Sequence, residues 1–280
     1  DPNTLRITYV EDTDTIYPIR FFVEGPEYEF LGRWDSSIHL FGVDAPRDEM
    51  GFFLLGADRL GRDLFSRVCY GARISLTIGL VAVVISLVVG IVLGGISGYY
   101  GGTIDNVIQR VIEFIRSIPE IPLIMALAAA LPADLPVIQL YFGITVVLAF
   151  VGWTGLARVV RGRFLSMREE DFVMAARFAG SSEMRIILRH MMPSFLSHII
   201  ASLTLSIPGI ILSETGLSFL GLGLRAPAIS WGVLLQEAQN IRSVALAPWV
   251  LLPALAVIMT VLAFNFLGDG IRDAADPYAK

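Results

Sequence analysis

The chain has 280 residues, of which 55% are hydrophobic and only 17% charged, with a formal net charge of -5 and a mean hydropathy of +0.67. Soluble domains carry about 25% charged residues, and the apolar runs here exceed what a core helix needs, so an ordinary soluble globule is excluded and an all-α polytopic membrane protein is expected. Lys280 is the only lysine, no basic cluster is interleaved with aromatics, Cys69 stands alone, and His39, His190 and His198 are scattered; this excludes nucleic-acid binding, an internal disulfide, a cysteine-based zinc site and a redox pair, and no metal site is expected.

Residues 1–72 are polar and acidic, with 13 Asp and Glu against 7 Arg. "LRITYV" and "IRFFVEG" read as short strands within a mixed strand and helix segment. "GADRLGRDLFSRVCYGAR" leads into Ile74–Gly98, an apolar run of 25 residues, long enough to cross roughly 30 Å of hydrocarbon at about 1.5 Å per residue. Ile104, Val107, Ile108, Val111, Ile112 and Ile115 then fall on one helical stripe, which suits an interfacial helix. Pro119–Pro132 is short for a span, but residues 105–132 together are long enough to cross. Val137–Val160, Ser194–Leu212 and Ala247–Leu267 are further spans. Five spans are therefore expected here, of about six in the native chain, the sixth preceding Asp1. No repeat of 20–50 residues is visible.

Arginine placement orients the bundle. Residues 161–193 hold Arg161, Arg163, Arg168, Arg177, Arg185 and Arg189, whereas 213–246 hold only Arg225 and Arg242. The positive-inside rule places 161–193 and the C-terminus in the cytoplasm, and residues 1–72 outside it. Two regions follow: an extracytoplasmic segment, 1–72, and a transmembrane core, 73–280.

The stretch "MREEDFVMAARFAGSSEMRIILRHMMPSF" (167–195) reads as a helical hairpin between two spans. Ser166 and Glu169 fit a capping box, so a helix is expected from near Met167. Phe172, Ala175, Ala176 and Ala179 give that helix a small apolar face, and Gly180 suits a left-handed stop. Ser181 or Ser182 caps a second helix carrying Met184, Ile187, Leu188 and Met191 on one face, and Pro193 ends it. Spacing alone leaves open whether this hairpin docks against a partner or lies on lipid headgroups.

The hairpin resembles the "EAA" loop in permease subunits of binding-protein-dependent ABC importers. The pattern runs through Met174-Ala175-Ala176, Gly180 and His190-Met191-Met192-Pro193, with Met174 in place of the usual Glu and His190 in place of an Ile. "GADRLGRDLFSRVCYGARISLTIG" (56–79), "SGYYGGTIDNVIQR" (97–110), "RSIPEIPLIMAL" (116–127), "ETGLSFLGLGLRAPAISWG" (214–232) and "VLAFNFLGDGIRDAADP" (261–277) are similar to the dipeptide, oligopeptide and nickel class of these permeases, the C-type subunit in particular. The resemblance covers about residues 52–280.

That resemblance implies a non-catalytic subunit of a bacterial or archaeal inner-membrane importer. Its partners would be a homologous second permease, two ATP-binding subunits, an extracytoplasmic solute-binding protein and membrane lipid. ATP and Mg would be held by the ATPase subunits, and the chain has no G-x-x-x-x-G-K-[ST] loop of its own. Glu170, Asp171, Phe172, Ala175, Ala176, Arg177, Gly180 and Arg185 would form the coupling site. Glu214, Gly216, Gly221 and Gly223 would lie near the outer mouth, where Glu214 has either a pathway or a structural role. Asp58, Arg59, Arg62, Asp63 and Arg67 would form an outer ion-pair network or touch the binding protein. Peptides, oligosaccharides and nickel chelates remain open as cargo. A stand-alone channel or secondary transporter is the rival class, and its ion sites would need charges that the long spans lack.

Overall fold

The computed structural model describes residues 16–30, 33–43, 52–132 and 134–275. The chain divides into two units, residues 1–54 and 55–280. In the first, β1 (Ile19–Phe30) pairs antiparallel with β2 (Trp34–Val43), in a register running from Ile19 opposite Val43 to Phe30 opposite Trp34. The ladder shifts between Glu24 and Tyr28, around Gly25 and Pro26. Proline has no N–H to offer a ladder, and a Cβ on Gly25 would lie 2.5 Å from the His39 ring. The expected strand "IRFFVEG" lies in β1, while "LRITYV" lies outside the described residues.

The second unit is helical. Asp63 starts α1 (Leu64–Tyr100) by accepting hydrogen bonds from the Phe65 and Ser66 amides. Gly101 and Gly102, with φ of 66° and 58°, turn the chain at its end. There follow α2 (Gly102–Ser117), α3 (Glu120–Ala129), α4 (Val137–Met167), α5 (Asp171–Phe178), α6 (Glu183–Arg185), a π-helical segment (Ile186–Met191) and α7 (Met192–Ser194). The chain ends with α8 (Leu196–Phe219), the short α9 (Trp231–Leu235) and α10 (Ile241–Leu246), and α11 (Leu252–Ala275).

Among the described residues, three helical segments are long and apolar enough to cross a membrane: Leu64–Tyr100, Val137–Met167 and Pro248–Ala274. Of the expected span at 194–212, Ser194 closes α7, while residues 196–212 lie in α8, a helix of 24 residues, or roughly 36 Å at about 1.5 Å per residue. Pro208 sits inside it without ending it. The expected crossing over 105–132 is not one helix. It breaks at Ile118 and Pro119, both extended, because a residue before proline is driven out of the helical region. The α2 stripe also divides. Ile112 and Ile115 are buried against Trp153 and Ala157 with Ile108 packed beside them, while Ile104, Val107 and Val111 are exposed; the apolar arc is wider than one contact face.

The seam of the bundle is α1 against α4. Ser86, Gly90, Gly94 and Gly98 recur every four residues along α1, and small residues let two backbones approach closely. A Cβ on Gly94 would lie 2.5 Å from the Ala157 carbonyl oxygen, and one on Gly98 2.7 Å from that of Arg161. Asp105 in α2 locks the end of this seam. It accepts two hydrogen bonds from the Arg161 guanidinium, each 2.5 Å, and another from Ser97.

Candidate functional site

The connector 161–195 is a folded piece rather than a loop. The expected capping box is absent: α4 runs on to Met167, so Ser166 lies in its last turns, and Glu170 is the residue before α5 without a side-chain cap. Glu169 instead ion-pairs with Arg168 at 3.3 Å. The apolar continuity of α4 through Phe164 and Met167 outweighs the local cap. Gly180 has φ of 76° and open space around it, so the left-handed stop is present.

The buried face of α5 differs from the expected one. Val173 is fully buried among Val160, Phe164, Met167, Ile186 and Met191, and Ala176 packs at the edge of that cluster. Phe172 is 39% exposed and Phe178 85%; Ala175 and Ala179 are exposed beside them. Arg177 lies over the Tyr99 ring at 5.2 Å, which fixes it to the spans. Glu170, Asp171 and Arg185 are exposed.

The second leg also departs from a simple α-helix. Met184 and Leu188 are exposed, while Ile186 and Met191 are fully buried. Pro193 does not end the leg; it lies within α7, and Phe195 separates it from α8. A proline ring clashes with the carbonyl four residues back and donates nothing. The backbone relaxes into a π-segment, in which the Met192 amide donates to Ile187 O, and the inward side chains fall five residues apart. Phe195 then stacks edge-on against Phe164 at 5.5 Å.

Glu214 is fully buried. It accepts hydrogen bonds from Ser75 at 3.1 Å and Ser218 at 2.9 Å. The same hydroxyls accept from the amides of Trp231 and Leu224, so the carboxyl ties α1, α8 and the segment after α8 into one polar knot. Gly223 packs on Ser218, where a Cβ would lie 2.6 Å from Oγ. Gly221 has φ of 76°, and Gly216 has open space.

Of the residues expected around 58–67, Asp58, Arg62 and Arg67 form one network. The Asp58 carboxylate accepts from Arg62 Nε at 2.7 Å, from the Leu60 and Arg62 amides, and from Arg67. Asp63 caps α1 instead, and Arg59 is exposed. Burial raises the Asp58 pKa, but the Arg62 and Leu60 hydrogen bonds and the Arg67 charge outweigh it and hold the carboxyl below its ordinary value. Stability from a depressed carboxylate is present above its unfolded pKa of about 3.9 and lost as pH falls through the folded value. Acidification from pH ~4 downward should therefore lower the thermal midpoint more in the wild type than in Asp58→Asn; equal acid sensitivity would remove this network from the stability account.

Between α1, the α2–α3 break, α4 and α8 opens a cleft of about 970 Å³. Arg116 and Glu120 line it at the break, and Ser202, Ser206, Gly209 and Ser213 line it from α8. Sequence reading missed these residues. The signal was there, as three serines and a glycine at i, i+4, i+7 and i+11 of one helix. It also missed Val173 and the Asp105–Arg161 pair, which join distant segments.

Long apolar helices around a polar-edged cleft, with a folded polar connector between α4 and α8, define a polytopic membrane transport component. The family model for the binding-protein-dependent transport system inner membrane component matches residues 90–280, and the chain belongs to that family. It is a permease subunit of a binding-protein-dependent ABC importer and a non-catalytic one, as the sequence resemblance implied. It is 40% identical over 255 residues to the glutathione transport system permease protein GsiD of Escherichia coli O1:K1 / APEC, covering 91% of this chain and 77% of that one. The GsiD of Shigella flexneri serotype 5b (strain 8401) matches with the same identity and coverage. The fold is similar to the MetNI methionine ABC transporter in its inward-facing conformation, with a TM-score of 0.60 and 18% identity over 76% of this chain and 98% of that one. An amino acid ABC transporter crystallised with histidines matches at a TM-score of 0.56 and 17% identity, covering 74% and 94% of the two chains.

Proposed function

We propose that this permease carries peptide-like cargo of the glutathione kind and is driven through its 161–193 connector. It pairs with a homologous permease, two ATP-binding subunits that hold ATP and Mg, and an extracytoplasmic solute-binding protein. Residues 161–193 and the C-terminus face the cytoplasm and residues 1–72 the other side, on the strength of the arginine distribution. The similarity to GsiD supports the cargo class.

One observation carries the coupling reading. The short helix α5 is clamped to the spans by Val173 and Arg177 while it presents Phe172, Ala175, Phe178 and Ala179 outward. A helix fixed on one face and apolar on the other transmits a push from a partner's groove to the spans it is clamped to. Glu170, Asp171 and Arg185 flank that face as polar contacts, and Gly180 sets the exit angle of the chain.

The test uses the full transporter in proteoliposomes. Gly180→Val forces a β-branched residue into positive φ, a strain of about 1–3 kcal/mol, and tilts the hairpin. Phe178→Asp removes an apolar side chain that is 85% exposed, so the fold should stand. Both variants should insert and assemble yet lose transport about tenfold or more, the weight of one aromatic hot spot, while the ATPase subunits keep basal hydrolysis. Wild-type uptake in both would count against α5 as the coupling element.

A further inference from the structure

The α2–α3 break places two opposite, exposed charges on the lining of the cleft. Arg116 lies in the last turn of α2 and Glu120 in the first turn of α3, on either side of Ile118 and Pro119. Both line the cleft. Its volume of about 970 Å³ sits at the upper end of roughly 300–1,000 Å³ found for small-molecule sites. Arg116 reaches toward α4: its Nη1 lies 3.5 Å from where a Gly155 Cβ would be. Among the described residues neither Arg116 nor Glu120 takes part in an ion pair within 4.0 Å.

In transporters, broken helices bring charged groups near the pathway. Across the cleft, α8 offers the hydroxyls of Ser202, Ser206 and Ser213, with Gly209 keeping the wall low. A single anion or cation would meet one attractive and one repulsive charge here. A solute bearing both an ammonium and a carboxylate meets two attractive ones, with hydroxyls for its amide groups. We infer that Arg116 and Glu120 form a recognition site for the zwitterionic backbone of an amino acid or short peptide on its way through this subunit. Arg116 takes the carboxylate and Glu120 the ammonium group. The inference rests on the peptide-like cargo reading above.

The test is uptake per ATP hydrolysed by the full transporter in proteoliposomes with its binding protein, using labelled glutathione, tri-alanine and methionine as probes. Arg116→Gln and Glu120→Gln should each lower that ratio roughly tenfold, the worth of one charge-assisted hydrogen bond, while binding-protein-stimulated hydrolysis persists. Arg116→Lys should recover part of the loss. Arg110→Gln, which removes an exposed pair with Glu113 on the same helix, should change nothing. Ser206→Leu, which narrows the cleft and leaves both charges, should lower the ratio too. An unchanged ratio in both charge variants overturns the site. So does a parallel fall of uptake and hydrolysis in an assembled complex, which would make the pair part of the drive rather than of recognition. A wild-type complex that hydrolyses ATP but moves no probe overturns the cargo reading and the site together.

Discussion

Gly94→Leu should leave almost no folded permease. A Cβ at this position would lie 2.5 Å from the Ala157 carbonyl oxygen and 2.9 Å from both its Cα and the Val160 Cβ. The first two are backbone atoms of α4 and cannot swing aside. The only relief is to separate α1 from α4, which would loosen the Ser86 hydrogen bond to Ala149 O at 3.3 Å and the burial of Val160 and Phe164. Overpacking a side chain costs about 1–3 kcal/mol where neighbours can shift; here they cannot, so even Gly94→Ala should be costly and the larger side chain worse. Gly162→Leu, on the opposing helix with nothing within 4 Å, should be tolerated. Thermal midpoints and folded yield in mild detergent separate the two cases. A Gly94→Leu protein with the wild-type midpoint would mean that the α1–α4 seam is not the framework of the bundle.

Glu214→Leu should be nearly as damaging, for the opposite reason. The carboxyl accepts from Ser75 and Ser218, whose oxygens are already engaged by the Trp231 and Leu224 amides. Leucine orphans two buried hydroxyl protons at about 1–3 kcal/mol each. Glu214→Gln keeps the shape and one acceptor, so it should cost less. The same pair of variants distinguishes the two roles that the sequence left open for this residue. A structural knot predicts a midpoint falling in the order wild type, Gln, Leu, with transport following stability. A pathway residue predicts a Gln variant of unchanged midpoint that has lost transport.

The arrangement of the hairpin shows where sequence reasoning held and where it gave way. Gly180 was legible because a positive φ is a local demand that glycine meets at least cost. The capping box at Ser166 and Glu169 was a local signal too, but it lost to the burial of Phe164 and Met167 on the continuing α4. The stripe on the second leg failed for a similar reason: Pro193 relaxes the ladder into a π-segment, which changes which residues point inward. In each case a tertiary contact or a backbone defect overrode a periodicity assumed to be regular.

By itself the sequence determined the class, the helical membrane character, the positions of the long apolar runs and the family. These rest on composition, run length and local motifs, which survive without knowledge of what touches what. Only the tertiary structure decided which glycines face α4, that Val173 rather than the alanine face of α5 is buried, that Asp105 holds Arg161 across 56 residues of chain, and that Arg116 and Glu120 share a cleft with the serines of α8. Those facts depend on the pairing of helices distant in sequence. The free energy of a close backbone approach or a buried hydrogen bond belongs to the pair and is written in neither segment alone.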